Sequence, residues 1–217
     1  MGARSVVCSI LVSILNLPAV LAPPPVSADN VVELPVLVAV GGNDRGAFEV
    51  MVMQWDQKPS PDPLAIKWVN ARIKFVGAYL EAINLALKYA VDRTPSIPHT
   101  GNIWIKGAAY APTSTDGPSA GAAITVGFLA VLKGDQIQRG VALTGTIEAD
   151  GRIGPVGAIP DKVRAAAREG YRTVFIPQGQ FNDARWNLNG LAMSLNVTVK
   201  EVGTIEEAYE LMTGHRP

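Results

Sequence analysis

The sequence predicts a mixed α+β domain. Three observations carry that prediction. The 217 residues are 48% hydrophobic and 18% charged, enough for one domain of ordinary size with a buried core. Short apolar or alternating runs of strand length recur along the chain, and between them lie stretches with helical spacing. Strands and helices do not alternate one for one, which disfavours a strictly parallel α/β arrangement.

The first element is a targeting segment rather than part of the fold. Arg4 precedes the apolar run Val6 to Leu17, and a small-residue stretch ends at Val26-Ser27-Ala28 before Asp29. This is the layout of a secretory signal peptide cleaved after Ala28, leaving 29–217 as the folded domain. The competing reading is an uncleaved anchor, for which Val6 to Ala22 is short and is interrupted by Ser9, Ser13, Asn16 and Pro18. Cleavage would remove Cys8, the single thiol, and Arg4, one of 19 basic residues against 19 acidic ones.

Leu34 to Val40 and Ala47 to Trp55 read as strands of a hairpin joined by Gly41-Gly42-Asn43-Asp44. Lys58 to Pro63 carries three prolines and reads as a surface loop. Val69, Ile73, Val76, Leu80, Ile83 and Leu87 recur at steps of 4, 3, 4, 3 and 4, predicting a long amphipathic helix. Asn102 to Lys106 follows as a strand and Gly107 to Thr115 as a small-residue loop. Asp116-Gly117-Pro118-Ser119-Ala120-Gly121 then leads into an apolar helix ending near Lys133, with Pro118 suited to a first turn. Val141 to Glu148 and Arg152 to Val156 flank Asp150-Gly151 as a second hairpin. Pro160 opens a helix that Gly170 closes, and Thr173 to Ile176 and Val197 to Val202 are strands. Thr204 and Glu207 have capping-box spacing for a last helix.

A net charge of zero offers no electrostatic excess for holding a phosphate backbone, so nucleic acid is an improbable partner. One cysteine and two histidines make a disulfide framework, a metal site or a metal cofactor equally improbable. Chemistry is best sought at Ser119, where a glycine-flanked serine enters a helix whose first N–H groups can face a developing oxyanion. The same residues also suit a plain turn and cap. His99 and His215 lie in a loop and in the tail, so a base for Ser119 would be a lysine. Lys162 is the candidate. It occupies the first turn of the Pro160 helix, where the dipole disfavours a cation, after the apolar stretch Ile153 to Ile159. Asp161 opposes this unless its side chain turns to solvent. Taken without Ser119, Lys162 also reads as a solvated surface residue.

Together the two segments resemble the proteolytic domain of the Lon protease family. Asp116 to Gly121 matches its nucleophile motif. Thr144-Gly145, Gly151-Arg152-Ile153 and Pro155 to Lys162 match its second block, 43 residues after Ser119. The likeness is strong over about 100–213 and weaker but colinear over 34–100. It implies a two-layer fold with mixed sheets and packed helices, and a Ser-Lys dyad. Ser119 is then the nucleophile, Lys162 the base and then acid, and Thr144 the partner orienting the amine. Main-chain N–H groups near Gly117, Ser119 and Ala120 form the oxyanion hole. It also implies a polypeptide substrate, extended beside a strand edge near Trp104 to Ala108, and a homo-oligomeric ring.

Two departures stand out: Thr146 where bacterial forms of the motif commonly have an acidic residue, and Ala158 where a glycine is usual. The dipeptide Gly-Lys occurs nowhere, so a phosphate-cradling Walker loop is missing, and the length leaves no room for an ATPase module. The expectation is an exported serine endopeptidase needing neither nucleotide nor cofactor. The alternatives are a catalytically weak peptide-binding module and a proteolytic subunit served by a separate ATPase. N-terminal sequencing of the exported protein is expected to begin at Asp29; a chain retaining Met1 would support the anchor instead.

Overall fold

A computed structural model describes residues 30–40, 45–57, 62–69, 74, 75, 77–108, 114, 115 and 117–217. In chain order the elements are β1 (Asn30–Val40), β2 (Arg45–Asp56), β3 (Ala65–Trp68), β4 (Lys74–Phe75), α1 (Ala78–Arg93), β5 (Asn102–Ala108) and β6 (Ser114–Thr115). A 3-10 turn (Pro118–Ala120) leads into α2 (Gly121–Lys133), then β7 (Val141–Leu143), β8 (Thr146–Ile147), β9 (Ile153–Gly154) and α3 (Ile159–Arg168). The chain ends with β10 (Thr173–Pro177), α4 (Leu188–Leu195), β11 (Thr198–Val202) and α5 (Ile205–Thr213). The result is a mixed α+β fold, as the sequence predicts.

A seven-stranded sheet of order β11-β10-β7-β1-β2-β5-β3 organises the domain, parallel from β11 to β1, antiparallel around β2 and parallel again between β5 and β3. β1 and β2 form the expected hairpin, in register from Asn30 opposite Trp55 to Val40 opposite Arg45. Their alternating side chains feed opposite faces. Val32, Leu34, Val36 and Val38 join Met51, Met53 and Trp55 in the larger core, against α1, α2 and α5. Leu37 and Phe48 pack on the other face, with Val163, Val174 and Leu188 from α3, β10 and α4. Because α2 is apolar on every side, it fits only at the centre, and every residue from Gly121 to Leu132 is buried.

Three expectations need correction. The long helix starts at Ala78, not near Val69. Val69 continues the β3 edge by donating to the Ile105 carbonyl, while Ile73 and Val76 lie outside the described residues. The buried face of α1 is also displaced: Tyr79, Ala82, Ile83, Ala86, Tyr89 and Ala90 face inward, whereas Leu80 is 39% exposed. Alanines serve this face because α1 approaches α2 closely; a Cβ on Gly121 would sit 3.6 Å from that of Ala82. Secondly, Val141 to Glu148 is not one strand. β7 joins the large sheet and β8 pairs with β9 through the expected Asp150-Gly151 turn, with a break at Thr144-Gly145. A Cβ on Gly145 would lie 2.3 Å from Ile153 Cγ2, so only glycine permits that crossing. Thirdly, the edge near Trp104 is covered: β3 pairs with Asn102 to Ile105, and among the described residues only Lys106 to Ala108 lack a strand on that side.

The weak local signals of β3 and α4 escape the sequence reading; the last helix does not. Thr204 Oγ1 accepts from the Glu207 N–H, and the Glu207 carboxylate accepts from Gly203 rather than from the cap residue itself. Residues 1–28, expected as a leader, residues 41–44, expected as a turn, and Asp116 lie outside the described residues. Among those described, no helix is long and apolar enough to cross a membrane.

Ala158, the residue before α3, has φ 55° and ψ 33°. That left-handed conformation favours glycine, which accounts physically for the glycine usual at this position. Ala158→Gly is expected to stabilise the domain by about 1 kcal/mol, the relieved strain less the extra freedom of glycine when unfolded. Thermal unfolding should show a midpoint raised by about 2–4 °C.

Candidate active site

The site is assembled where the Thr144-Gly145 break meets the start of α2. Gly145 donates its N–H to the Ser119 carbonyl at 2.9 Å, and its own carbonyl accepts from Ala122 at 3.0 Å. Thr144 donates its N–H to the Phe175 carbonyl at 3.0 Å, tying the same bend to β10. Two elements remote in sequence are thereby clasped through main chain, independently of their side chains.

The Thr144 hydroxyl completes the connection. It lies 3.2 Å from the Ser119 carbonyl oxygen, to which it donates, and accepts from Lys162 Nζ at 3.1 Å. One O–H proton and the oxygen lone pairs satisfy both bonds. Thr144 is fully buried and Lys162 is 1% exposed, whereas Ser119 is half-buried and Gly117 exposed. The arrangement therefore has a dry side, holding the amine, and an open side at the serine.

Burial pushes the Lys162 ammonium down to about 8. No carboxylate contributes to this shift. Asp161 is turned away, its Oδ1 accepting from Arg164 at 2.9 Å on the surface, so its expected opposition to a neutral lysine does not arise. A lysine at about 8 is neutral in roughly a tenth of molecules at pH 7, which is the range useful to a general base.

The structure thus brings Ser119, Thr144 and Lys162 together, with Gly117 and Ala120 flanking the serine at the start of the 3-10 turn. Gly117 is extended (φ −101°, ψ 148°), and a Cβ there would meet nothing within 4 Å. The histidines are engaged elsewhere: His99 Nε2 lies 2.8 Å from Thr94 Oγ1, and His215 lies beside Asp135. Sequence reasoning misses Gln180, a buried side chain that grips both main-chain groups of Val156. Its Oε1 accepts from the Val156 N–H and its Nε2 donates to the Val156 carbonyl, both at 2.9 Å. This amide clamp steadies the segment running into Lys162, and no local motif announces it.

With that geometry established, comparison with known proteins is decisive. The profile of the Lon protease (S16) C-terminal proteolytic domain matches residues 90–211, more than half the chain. The chain belongs to this family. Lon proteolytic domains are serine peptidases that use a Ser-Lys dyad. Lon protease 2 of Syntrophobacter fumaroxidans is 36% identical over 99 residues, which are 46% of this chain and 12% of that protein. Lon protease of Orientia tsutsugamushi is 39% identical over 82 residues, 38% of this chain and 10% of the relative. Lon protease of Mycolicibacterium smegmatis is 31% identical over 115 residues, 53% and 13% respectively. The chain therefore matches only about an eighth or less of these Lon proteases.

The buried lysine has a consequence for stability. Its folded value lies below its unfolded one of 10.5, so between about 8 and 10.5 the unfolded chain binds the extra proton. Stability accordingly rises with pH across that window, and the penalty is fully present below it. Lys162→Met is expected to stabilise the domain at pH 7 by about 1–3 kcal/mol. Denaturant unfolding should show this gap closing as the pH is raised from 8 towards 10.5.

Proposed function

We propose that this protein is an exported serine endopeptidase that hydrolyses unfolded or flexible polypeptides without nucleotide. The observation that carries the reading is the buried Lys162 amine bonded to the Thr144 hydroxyl, which in turn holds the Ser119 main chain. Export rests on the signal-peptide layout of 1–28, and nucleotide independence on a dyad whose proton transfers involve only Ser119, Lys162 and water.

In this reading neutral Lys162 takes the Ser119 hydroxyl proton as Oγ bonds to the scissile carbonyl carbon. The negative charge on the carbonyl oxygen is met by main-chain N–H groups at Gly117, Ser119 and Ala120. The C–N bond then breaks as Lys162 returns the proton to the departing amine, leaving an ester on Ser119. Water, deprotonated by Lys162, attacks that ester and the acid product leaves. Thr144 keeps one amine N–H occupied, so that the lone pair is directed away from it. The dyad needs neither metal nor cofactor. Extended substrate adds as a strand beside Lys106 to Ala108, the portion of β5 that reaches past β3. A homo-oligomeric ring is the assembly this family membership supports.

Purified protein is expected to degrade casein without nucleotide, and Ser119→Ala or Lys162→Ala to abolish this with folding retained. Survival of activity in Ser119→Ala would overturn the assignment. Inactivity of the folded wild type would favour a peptide-binding module or a partner-dependent subunit.

The base must be unprotonated, so kcat/KM should climb about tenfold per unit below the Lys162 value and level off above it. A pH profile with its inflection near 8 checks this, whereas a rate independent of pH between 6 and 9 would exclude Lys162 as the base.

A further inference from the structure

The first turn of α3, which carries Lys162, rests against the beginning of β2. A Cβ built on Gly46 would lie 2.1 Å from the Asp161 carbonyl oxygen, 2.3 Å from its carbon and 2.7 Å from the Lys162 nitrogen. These neighbours are all main chain. Gly121, Gly145 and Gly154 are also tightly packed, but the nearest atom to each belongs to a side chain (Ile147 Cγ2, Ile153 Cγ2 and Thr146 Oγ1) rather than to the main chain. At Gly46 nothing short of moving the helix turn would make room. The contact is fastened a turn and a half later, where Arg168 donates from its guanidinium to the Gly46 carbonyl at 3.1 Å.

From this contact we infer that Gly46 is a positioning residue for Lys162, setting how deeply the first turn of α3 sits and hence where Nζ meets Thr144. The inference rests on the proposed peptidase reading and extends it to a residue outside the two matching motifs. β2 is the reference for the purpose: Gly46 pairs with Ala39 of β1, and from Val50 onward the same strand is also paired with β5. Lys162 N already bonds the Ala158 carbonyl at 3.1 Å, so the turn responds as a unit when Asp161 is pushed. Displacing it by one Cβ–main-chain overlap moves Nζ away from Thr144 Oγ1 and loosens the dry packing around the amine. Side chains larger than hydrogen at position 46 are thus excluded by the lysine's location, not by the local turn.

Gly46→Ala and Arg168→Met should be compared with Gly127→Ala, in which a Cβ would meet the Leu34 and Met53 side chains in the core. Expected for Gly46→Ala is a fall in kcat of about 10–100-fold with KM little changed. The inflection of its pH profile should move upward as water reaches the amine. Arg168→Met, which leaves position 46 unaltered, should lower kcat by up to about fivefold, in the same direction. Gly127→Ala should lower the unfolding temperature while leaving kcat and the pH profile as in wild type.

Nuclear magnetic resonance titration of the Lys162 side chain, assigned by its loss in Lys162→Met, provides a readout that does not require turnover. The titration should shift upward in Gly46→Ala and stay put in Gly127→Ala. Wild-type kcat and an unmoved Lys162 titration in both Gly46→Ala and Arg168→Met would overturn the inference. If Gly46→Ala does not fold, an unaltered kcat and titration in Arg168→Met alone would overturn it. A wild type that folds, titrates near 8 and hydrolyses nothing would instead count against the peptidase reading, leaving the titration to decide the positioning role.

Discussion

A lysine amine held out of water is the constraint around which this domain is arranged. Solvating an ammonium is so favourable that burial must either neutralise it or surround it with partners. Lys162 goes part of the way along the first course: burial alone lowers its affinity for the proton, so that a minority of molecules are neutral at pH 7, and the Thr144 hydroxyl is its hydrogen-bond partner. That stability cost is accepted at one position and offset by a large apolar interior elsewhere. It has a chemical return: the group becomes basic near neutrality, which an exposed lysine cannot be.

Keeping the amine dry requires that the segments around it be fixed by main-chain bonds, because side chains there are mostly small. Gly145 exchanges bonds with Ser119 and Ala122, Thr144 bonds Phe175, and Gln180 grips Val156. Each bond ties the approach to Lys162 or the approach to Ser119 to a segment distant in sequence. The central helix α2 plays a comparable part from beneath: apolar on all sides, it has no alternative location, and the 3-10 turn that leads into it carries Ser119 to the surface. An open serine beside a closed amine follows from that pairing of a buried helix with a surface turn.

Unusual main-chain geometry also marks this neighbourhood. Ala158 adopts a left-handed conformation immediately before the helix bearing Lys162, and Gly46 lets main chain touch main chain on the helix's other side. Such arrangements persist when the surroundings over-determine them, and they are commonest where geometry has a chemical purpose. The Thr146 departure is of a different kind. With no carboxylate acting on Lys162, the amine depends on desolvation rather than on a charge pair, and its titration is governed by packing.

Much of this was legible in the sequence because it depends on local chemistry. Asp150-Gly151 specifies a turn, Thr204 and Glu207 a helix start, an all-apolar stretch a buried helix, and two motifs 43 residues apart the serine and the lysine. Where packing chose among locally similar options, the chain alone was misleading. A stripe from Val69 to Leu87 has helical period throughout, yet Val69 extends the β3 edge and the helix turns a face of tyrosines and alanines inward, because α2 lies close enough to demand small residues. The apolar run Val141 to Glu148 breaks at Gly145, since one half is wanted by the large sheet and the other by β9. Residue types and their order determined which groups could do chemistry; only the tertiary structure decided how dry the lysine is and what touches it. Burial and close approach are properties of elements distant in sequence, and no local pattern encodes them.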